Sequence, residues 1–315
     1  MLRGLYMEYS VLGKTGLKVS KLALGAAQLG NPNASEARVE KVLNNALDQG
    51  INFIDTAAMY KMSEERIGRY IAHRKSDFRI ATKCGSYWSE TSGEPQLVED
   101  FSPEGIMQTV ERSRQKLKLD VIDLVQFHGL PPADGLQASF EALFELKEKG
   151  YADFVGVSAD GPAAAAFAGK PAEGNAAEVA QQWPVDTWQF IYSLLSPEAA
   201  WELIPTLRDE SIGTIFKRPI SNVVWDMKEE PEDDFFRKPW QRARQLPLQE
   251  LAGELPMVEF ALRFALSHPD VNTILVGTIS TEHIADNIRF AAKGPLPEEM
   301  LRQSRSAFEK QFGPP

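Results

Sequence analysis

Three successive apolar runs in the sequence each end in a side chain that can carry a proton. Ile51–Asp55 closes on Asp55, with Tyr60 five residues on; RIATK closes on Lys83; VIDLVQFH closes on His128. Those four types together suit one kind of chemistry. A buried ammonium beside a phenol favours the phenolate and draws the phenol's pKa down toward neutrality. A carboxylate can hold that ammonium in place and keep it charged. The phenol can then give its proton to a carbonyl oxygen while a hydride arrives at carbon. An imidazole can hydrogen-bond the same oxygen and orient it.

Taken singly, each residue has a duller reading. Asp55 suits a turn or a helix cap, Tyr60 a packed ring with a wet hydroxyl, and His128 a satisfied core histidine. Lys83 is harder to dismiss, because buried lysines are rare. Ends of three successive strands carrying such groups, with a phenol just beyond, favour a functional cluster over packing.

For these groups to meet, the strands that carry them must be neighbours. Eight short apolar runs alternate with helical patterns: Lys21–Leu29, Ile51–Asp55, Phe78–Lys83, Val121–Phe127, Phe154–Ser158, Thr187–Leu194, Gly213–Phe216 and Thr273–Val276. Continuous apolar runs mark parallel strands covered on their outer face. Helices are expected from Ser35 to Gly50, over Ser63–His73, from Ser102 to about Leu119, and over Leu136–Lys149. Further ones are expected in part of Pro162–Gln182, then over Pro197–Asp209, Leu251–Ser267 and Thr281–Ala292, with a last one over about Pro297–Gln311. Ser102-Pro103-Glu104 is a strong helix start, with a capping hydroxyl, a proline at the first position and an acid in the first turn.

Met7–Val19, alternating around Gly13-Lys14-Thr15-Gly16, reads as a β-hairpin outside the main domain. The whole pattern predicts an α/β fold: a (β/α)8 TIM barrel with an N-terminal β-hairpin and an extra C-terminal helix, as one domain over 1–315. No Gly-x-Gly-x-x-Gly follows the first strand, which disfavours a Rossmann fold. Barrels of this kind gather functional groups at the carboxyl ends of their strands. Asp55, Lys83 and His128 end the second, third and fourth. The excursion Ser221–Leu248, with its acid run Glu229–Asp234, is expected to be a solvated loop with one turn of helix. Gly85–Phe101 is expected to be a polar loop, with Trp88 a candidate wall of a substrate pocket.

Composition narrows the partners. The 315 residues are 43% hydrophobic and 25% charged, which is ordinary for a soluble globule. A net charge of −10 argues against general nucleic-acid binding. Cys84 is the single cysteine, so neither a disulfide framework nor a thiolate metal cluster is expected, and a cytoplasmic setting is compatible. The histidines show no metal spacing. No apolar run approaches the roughly 20 residues of a membrane helix, and MLRGLYMEYS lacks the apolar core of a secretory signal. No feature specifies an oligomeric state.

Along nearly its whole length the chain resembles the aldo-keto reductase family. The matching stretches are LALG with Gly25, FIDTAAMY with Asp55 and Tyr60, SEERIG, IATK with Lys83, IDLVQFH with His128, GVS with Ser158, and LVG followed by Asn287. The resemblance implies that Asp55, Tyr60, Lys83 and His128 form a catalytic tetrad. It implies a nicotinamide cofactor bound without a Rossmann fold, NADP by family frequency with NAD possible. Ser158 and Gln189 would hold the carboxamide, with Gly25 and Asp55 in the same cofactor site. Gly277, Thr278, Ser280, His283 and Asn287 would receive the adenosine phosphate end, where a helix start at Thr281 offers free N–H groups to an anion.

Departures from the family pattern are specific. Ala159 replaces an asparagine that usually follows Ser158. Lys217 stands where a tyrosine often stacks on the nicotinamide; Phe216 is the alternative ring, and Lys217 and Arg218 are candidates to meet the pyrophosphate. Gly277 and His283 replace basic residues near a 2′-phosphate, which weakens any preference for the phosphorylated cofactor. The expected activity is reduction of a small-molecule aldehyde or ketone by NAD(P)H, or the reverse. Two rivals stand beside it: a Schiff-base aldolase using Lys83, and a non-catalytic nicotinamide-sensing subunit with the 221–248 excursion as its partner surface.

Overall fold

Short apolar strands alternating with one-sided helices must cover both faces of a sheet, and here the sheet closes on itself. The structure, a computed structural model, describes residues 7–89, 95–160, 176–201 and 203–313. Its strands are β1 (Tyr9–Val11), β2 (Lys18–Ser20), β3 (Leu22–Gly25), β4 (Phe53–Asp55), β5 (Arg79–Cys84), β6 (Ser86–Ser89), β7 (Gln96–Glu99), β8 (Ile122–His128), β9 (Ala152–Ser158), β10 (Thr187–Ile191), β11 (Gly213–Lys217) and β12 (Thr273–Gly277). Eight of them form a closed barrel in the order β10-β11-β12-β3-β4-β5-β8-β9, every pairing parallel. This is the expected (β/α)8 architecture, with the β1–β2 hairpin in front and the helix Glu298–Phe312 behind.

Successive side chains on a strand alternate between the barrel's interior and its outer face. Ala23, Phe53, Ala81, Leu124, Ile215 and Leu275 fill the interior. The hairpin closes the amino-terminal end, where Leu12 and Val19, both fully buried, join that interior cluster. Its tip sits so close to β11 that a Cβ on Gly13 would collide with the Gly213 backbone, and Gly13 has a φ of 48°. Outward residues such as Leu24, Ile54, Ile80, Val125 and Val155 pack beneath the helices.

Four helices flank the strands that matter most: α1 (Glu36–Asp48), α2 (Ser63–Tyr70), α3 (Pro103–Leu117) and α4 (Leu136–Glu148). α1 buries Val39, Val42, Leu43, Ala46 and Leu47, a stripe at helical spacing. α3 begins as expected, with Ser102 Oγ accepting from the Gly105 N–H at 3.1 Å.

Several expected boundaries move. Strand pairing after Lys21 stops at Gly25, and the chain turns into a 3-10 segment, Ala27–Gly30. α2 ends at Tyr70 rather than His73, and β10 at Ile191 rather than Leu194. The stretch 197–209 is a 3-10 turn, Glu198–Ala200, followed by a helix, Leu203–Asp209. The expected helix Leu251–Ser267 is two, Leu248–Ala252 and Met257–Leu266, parted where Gly253 takes a φ of 58° and resumed after Pro256. Of Pro162–Gln182, residues 161–175 lie outside the described residues and Ala176–Gln182 is helical. The loop Gly85–Phe101 contains an antiparallel pair, β6 with β7.

The largest correction concerns the excursion. Asp234–Gln245 is a 12-residue helix, capped by Asp233, whose carboxylate accepts from the Phe235 N–H at 2.9 Å. Phe236, Trp240 and Ala243 turn toward the core, an i, i+4, i+7 stripe. The adjoining acid run masks that stripe, and the internal Pro239 reads as a breaker.

Leu12→Ala tests whether the hairpin closes the barrel. Urea unfolding is expected to show a loss of about 2–5 kcal/mol, the range for emptying a filled apolar site. A change below about 0.5 kcal/mol, the scale of an exposed substitution, would contradict that role.

Candidate active site

Strand register brings the expected side chains to one end of the barrel. Asp55 pairs with Gly25 across β3–β4, Lys83 with Gln126 across β5–β8, and His128 with Ser158 across β8–β9. All three ionisable groups share the inward parity of Phe53, Ala81 and Leu124, so they stand just above the apolar interior.

Lys83 Nζ donates to both oxygens of Asp55, at 2.8 and 2.7 Å, and to the Thr56 carbonyl at 2.8 Å. An ammonium has three protons, so each is used. Lys83 is 1% exposed and Asp55 3%. Burial pushes the Asp55 carboxyl up and the Lys83 amine down, and the partner's charge is the largest opposing influence on each. Direct contact with three hydrogen bonds holds the two as an ion pair.

Tyr60 lies beside this pair, with Lys83 Nζ 5.2 Å from the centre of its ring. The ring also meets His128 edge-on, centroids 5.6 Å apart at 82°. Burial first, and then the Asp55 carboxylate, push the Tyr60 phenol above its ordinary pKa, with Arg218 opposing. This corrects the expectation that Lys83 draws the phenol down. The protons of Lys83 go to Asp55 and Thr56, so Tyr60 faces an ion pair rather than a bare cation. His128 is driven well below its ordinary pKa by burial, then by Lys83, Lys217 and Arg218. Its imidazole is neutral near pH 7, and its buried Nδ1 has no hydrogen-bond partner among the described residues.

Beyond this cluster, two orphaned atoms fit a nicotinamide carboxamide. Ser158 Oγ and Gln189 Oε1 are buried without partners among the described residues, and Gln189 pairs with Ser158 across β9–β10. Buried polar atoms of this kind are ordinarily hydrogen-bonded, and an amide offers both a donor and an acceptor. Gln189 also helps to lower the Asp55 carboxyl, after Lys83. Gly25 and Gly277 face each other across β3–β12, where a Cβ on Gly25 would stand 3.6 Å from the Gly277 nitrogen. Bare backbone on both strands leaves the rim smooth.

Lys217 points inward and forms a 3.2 Å ion pair with Asp160, whose other oxygen accepts from the Ile191 N–H at 2.7 Å. Arg218 stacks over Phe235, its guanidinium carbon 3.1 Å from the ring centre. Phe216 is a correction: it lies on the outer face, with Phe190 and Tyr192 at centroid distances of 5.0 and 4.8 Å. Its inward-pointing neighbours, Ile215 and Lys217, fix that parity, so it presents no ring to the mouth.

At the far end of the mouth, Ser280 caps the helix Thr281–Ala291, accepting from the His283 N–H at 3.3 Å. Thr278 Oγ1 accepts from the Ser280 N–H at 3.0 Å and lies 3.2 Å from His283 Nδ1. Asn287 is buried on the same helix. Glu282 in its first turn accepts from the Ser280 hydroxyl at 2.6 Å, and that bond is the main reason its carboxyl is pulled down to about 2.

Asp160 and Glu282 were not foreseen as parts of the site. Asp160 had a signal, an acid two residues past a strand end; nothing local set Glu282 apart from an ordinary first-turn acid. Trp88 reaches the site indirectly, its Nε1 donating to the Met59 carbonyl at 2.7 Å and so tying β6 to the Tyr60 segment.

Comparison with known proteins identifies the family. The sequence profile of the aldo/keto reductase family matches residues 21–309. The uncharacterized oxidoreductase YqkF of Bacillus subtilis is 28% identical over 95% of this chain and 96% of its own length. L-galactose dehydrogenase of Arabidopsis thaliana is 26% identical over 90% of this chain and 87% of its own. The solved structure of aldo-keto reductase AKR11C1 from Bacillus halodurans, in its holo form, shares the fold with a TM-score of 0.79 at 24% identity, covering 96% of each chain. The chain belongs to the aldo/keto reductase family and is an NAD(P)H-dependent oxidoreductase.

Proposed function

We propose that the mouth of the barrel reduces a small aldehyde or ketone to an alcohol, and runs the reverse, with Tyr60 as the proton donor. The observation that carries this is the contact of the Tyr60 ring with both the Lys83 ammonium and a neutral His128. A bound nicotinamide supplies the hydride. Ser158 and Gln189 hold its carboxamide, Gly25 and Gly277 leave its path along the rim open, and Lys217 and Arg218 face its pyrophosphate. Thr278, Ser280, His283 and Asn287 take the adenosine end.

Tyr60 keeps its proton across the neutral range, as an ordinary phenol does, and burial raises its pKa further. A carbonyl oxygen that has gained a hydride is a far stronger base than a phenolate, so Tyr60 still gives up that proton. His128 directs an N–H at the same oxygen and orients it. Asp55 holds Lys83, and the pair fixes the field beneath the phenol. Lys83, with every proton engaged, is poorly placed to attack a carbonyl, which weighs against a Schiff-base mechanism.

The adenosine end favours NAD over NADP, against the family frequency. The ionised Glu282 sits on the helix start that would receive a 2′-phosphate, and like charges repel there.

Tyr60→Phe is expected to lower kcat for methylglyoxal by about 100-fold or more, while the cofactor Kd from fluorescence titration moves less than about threefold. Full turnover would overturn the assignment. For the parent, kcat/KM for reduction is expected to stay flat from about pH 6 to about pH 8. His128 titrates below that window and Tyr60 above it, so an ionisation within it would contradict these roles. NADH is expected to bind about tenfold tighter than NADPH, with Glu282→Gln narrowing the gap; tighter NADPH binding by the parent would reverse the assignment.

A further inference from the structure

We propose that Arg66 is a positioning residue for Tyr60, acting by clamping the loop between β3 and α1 against the Tyr60 backbone. The proposal rests on Tyr60 being the proton donor. Arg66 belongs to SEERIG on α2, a stretch with no part in the chemistry above. It is 1% exposed. A guanidinium that deep needs partners for its N–H groups, and it finds most of them in one loop. Nη1 donates to the carbonyls of Leu29 and Asn31, each at 2.7 Å, and Nη2 to that of Ala34 at 3.1 Å. Nε and Nη2 both reach Glu36 Oε1, at 2.9 and 2.5 Å. Three carbonyls tied to one planar group are fixed relative to one another.

That loop is the seat of the Tyr60 segment. Gly30 packs so tightly on it that a Cβ would collide with the Tyr60 carbonyl oxygen. The Gly30 carbonyl in turn accepts from the Met62 N–H at 3.3 Å. Ser63 Oγ donates to the Ala26 carbonyl at 3.0 Å and accepts from Thr56 Oγ1 at 2.8 Å. The Thr56 carbonyl is the one that takes a Lys83 proton. Lys61, next after Tyr60, has a φ of 47°, a left-handed backbone that a non-glycine residue keeps where its surroundings impose it. Arg66 sets the loop, and the loop sets the distance between phenol and ammonium. Leucine would fill the volume but take the Arg66 donor from the Leu29 and Ala34 carbonyls and leave Asn31's with only the bond from the Ala34 N–H at 2.9 Å. Lysine would supply the charge without the planar fork.

The test compares Arg66→Leu, Arg66→Lys and Glu36→Gln with the parent and with Tyr60→Phe. Methylglyoxal and 4-nitrobenzaldehyde are the probes, and crystal structures of the parent and Arg66→Leu accompany the kinetics. Arg66→Leu is expected to lower kcat about tenfold or more, with KM and cofactor Kd within about threefold, and to move the Tyr60 oxygen by about 1 Å. Arg66→Lys is expected to recover part of the loss, and Glu36→Gln to lower kcat about twofold while sparing the fold. Parental kcat per folded Arg66→Leu molecule, or an unmoved Tyr60 oxygen, overturns the proposal. If Arg66→Leu does not fold, parental kcat in both Arg66→Lys and Glu36→Gln overturns it instead. Should Tyr60→Phe itself turn over at the parental rate, the proton-donor reading falls, and the crystallographic position of Tyr60 still decides the clamp.

Discussion

Two opposite charges lie in contact near the top of an apolar barrel, and much of the molecule answers to them. A buried carboxylate or ammonium alone would lose its charge. Together, with the Thr56 carbonyl as third acceptor, Asp55 and Lys83 stay ionised, but only while the geometry holds. That requires β4 and β5 to be neighbours in one register, which a closed parallel barrel imposes. It also requires dryness beneath, which Phe53, Ala81, Leu124 and Ile215 supply from the strands and Leu12 and Val19 supply from the hairpin. The hairpin at one end and the ion pair nearer the other serve a single end, a rigid charge pair shielded from water.

The same dryness sorts the groups above the pair. It holds Tyr60 protonated and His128 uncharged, so the mouth offers two neutral hydrogen-bond donors over a fixed ion pair. Positive side chains stand to one side, with Lys217 held by Asp160 and Arg218 laid over Phe235. The backbone is strained at that point. Arg218, Ser221, Asn222 and Val223 all have φ between 43° and 58°, which is uncommon for residues with side chains and costly for a β-branched valine. Strain of this kind persists where the surroundings over-determine it. The helix Asp234–Gln245 contributes, since Phe235 lies at its start.

The barrel was legible in the sequence because each strand is a continuous apolar run and each helix carries a stripe at 3.6 spacing. Asp55, Lys83 and His128 were legible for a related reason: a titratable group ending a buried run has no packing motive. Harder to read were properties that depend on what lies opposite. The direction of the Tyr60 shift turns first on burial and then on the Asp55 carboxylate, and neither the depth of a loop residue nor its distance from that carboxylate is written in the local pattern. Phe216 sat next to the right position with the wrong parity, a one-residue matter in any strand. The helix at 234–245 was hidden by Pro239 and by charge. Arg66 stood in plain view inside SEERIG, but its partners are carbonyls some thirty residues earlier, and backbone acceptors leave no trace in a sequence.

The most direct test of the site follows the hydride. Reduced nicotinamide coenzyme deuterated at both C4 positions would be incubated with the parent protein and 4-nitrobenzaldehyde, and the alcohol analysed by mass spectrometry. The expected product carries deuterium on its carbinol carbon. Alcohol formed without the label, or coenzyme bound and returned unoxidised in the presence of aldehyde, would contradict the assignment of this barrel mouth as a carbonyl-reducing centre.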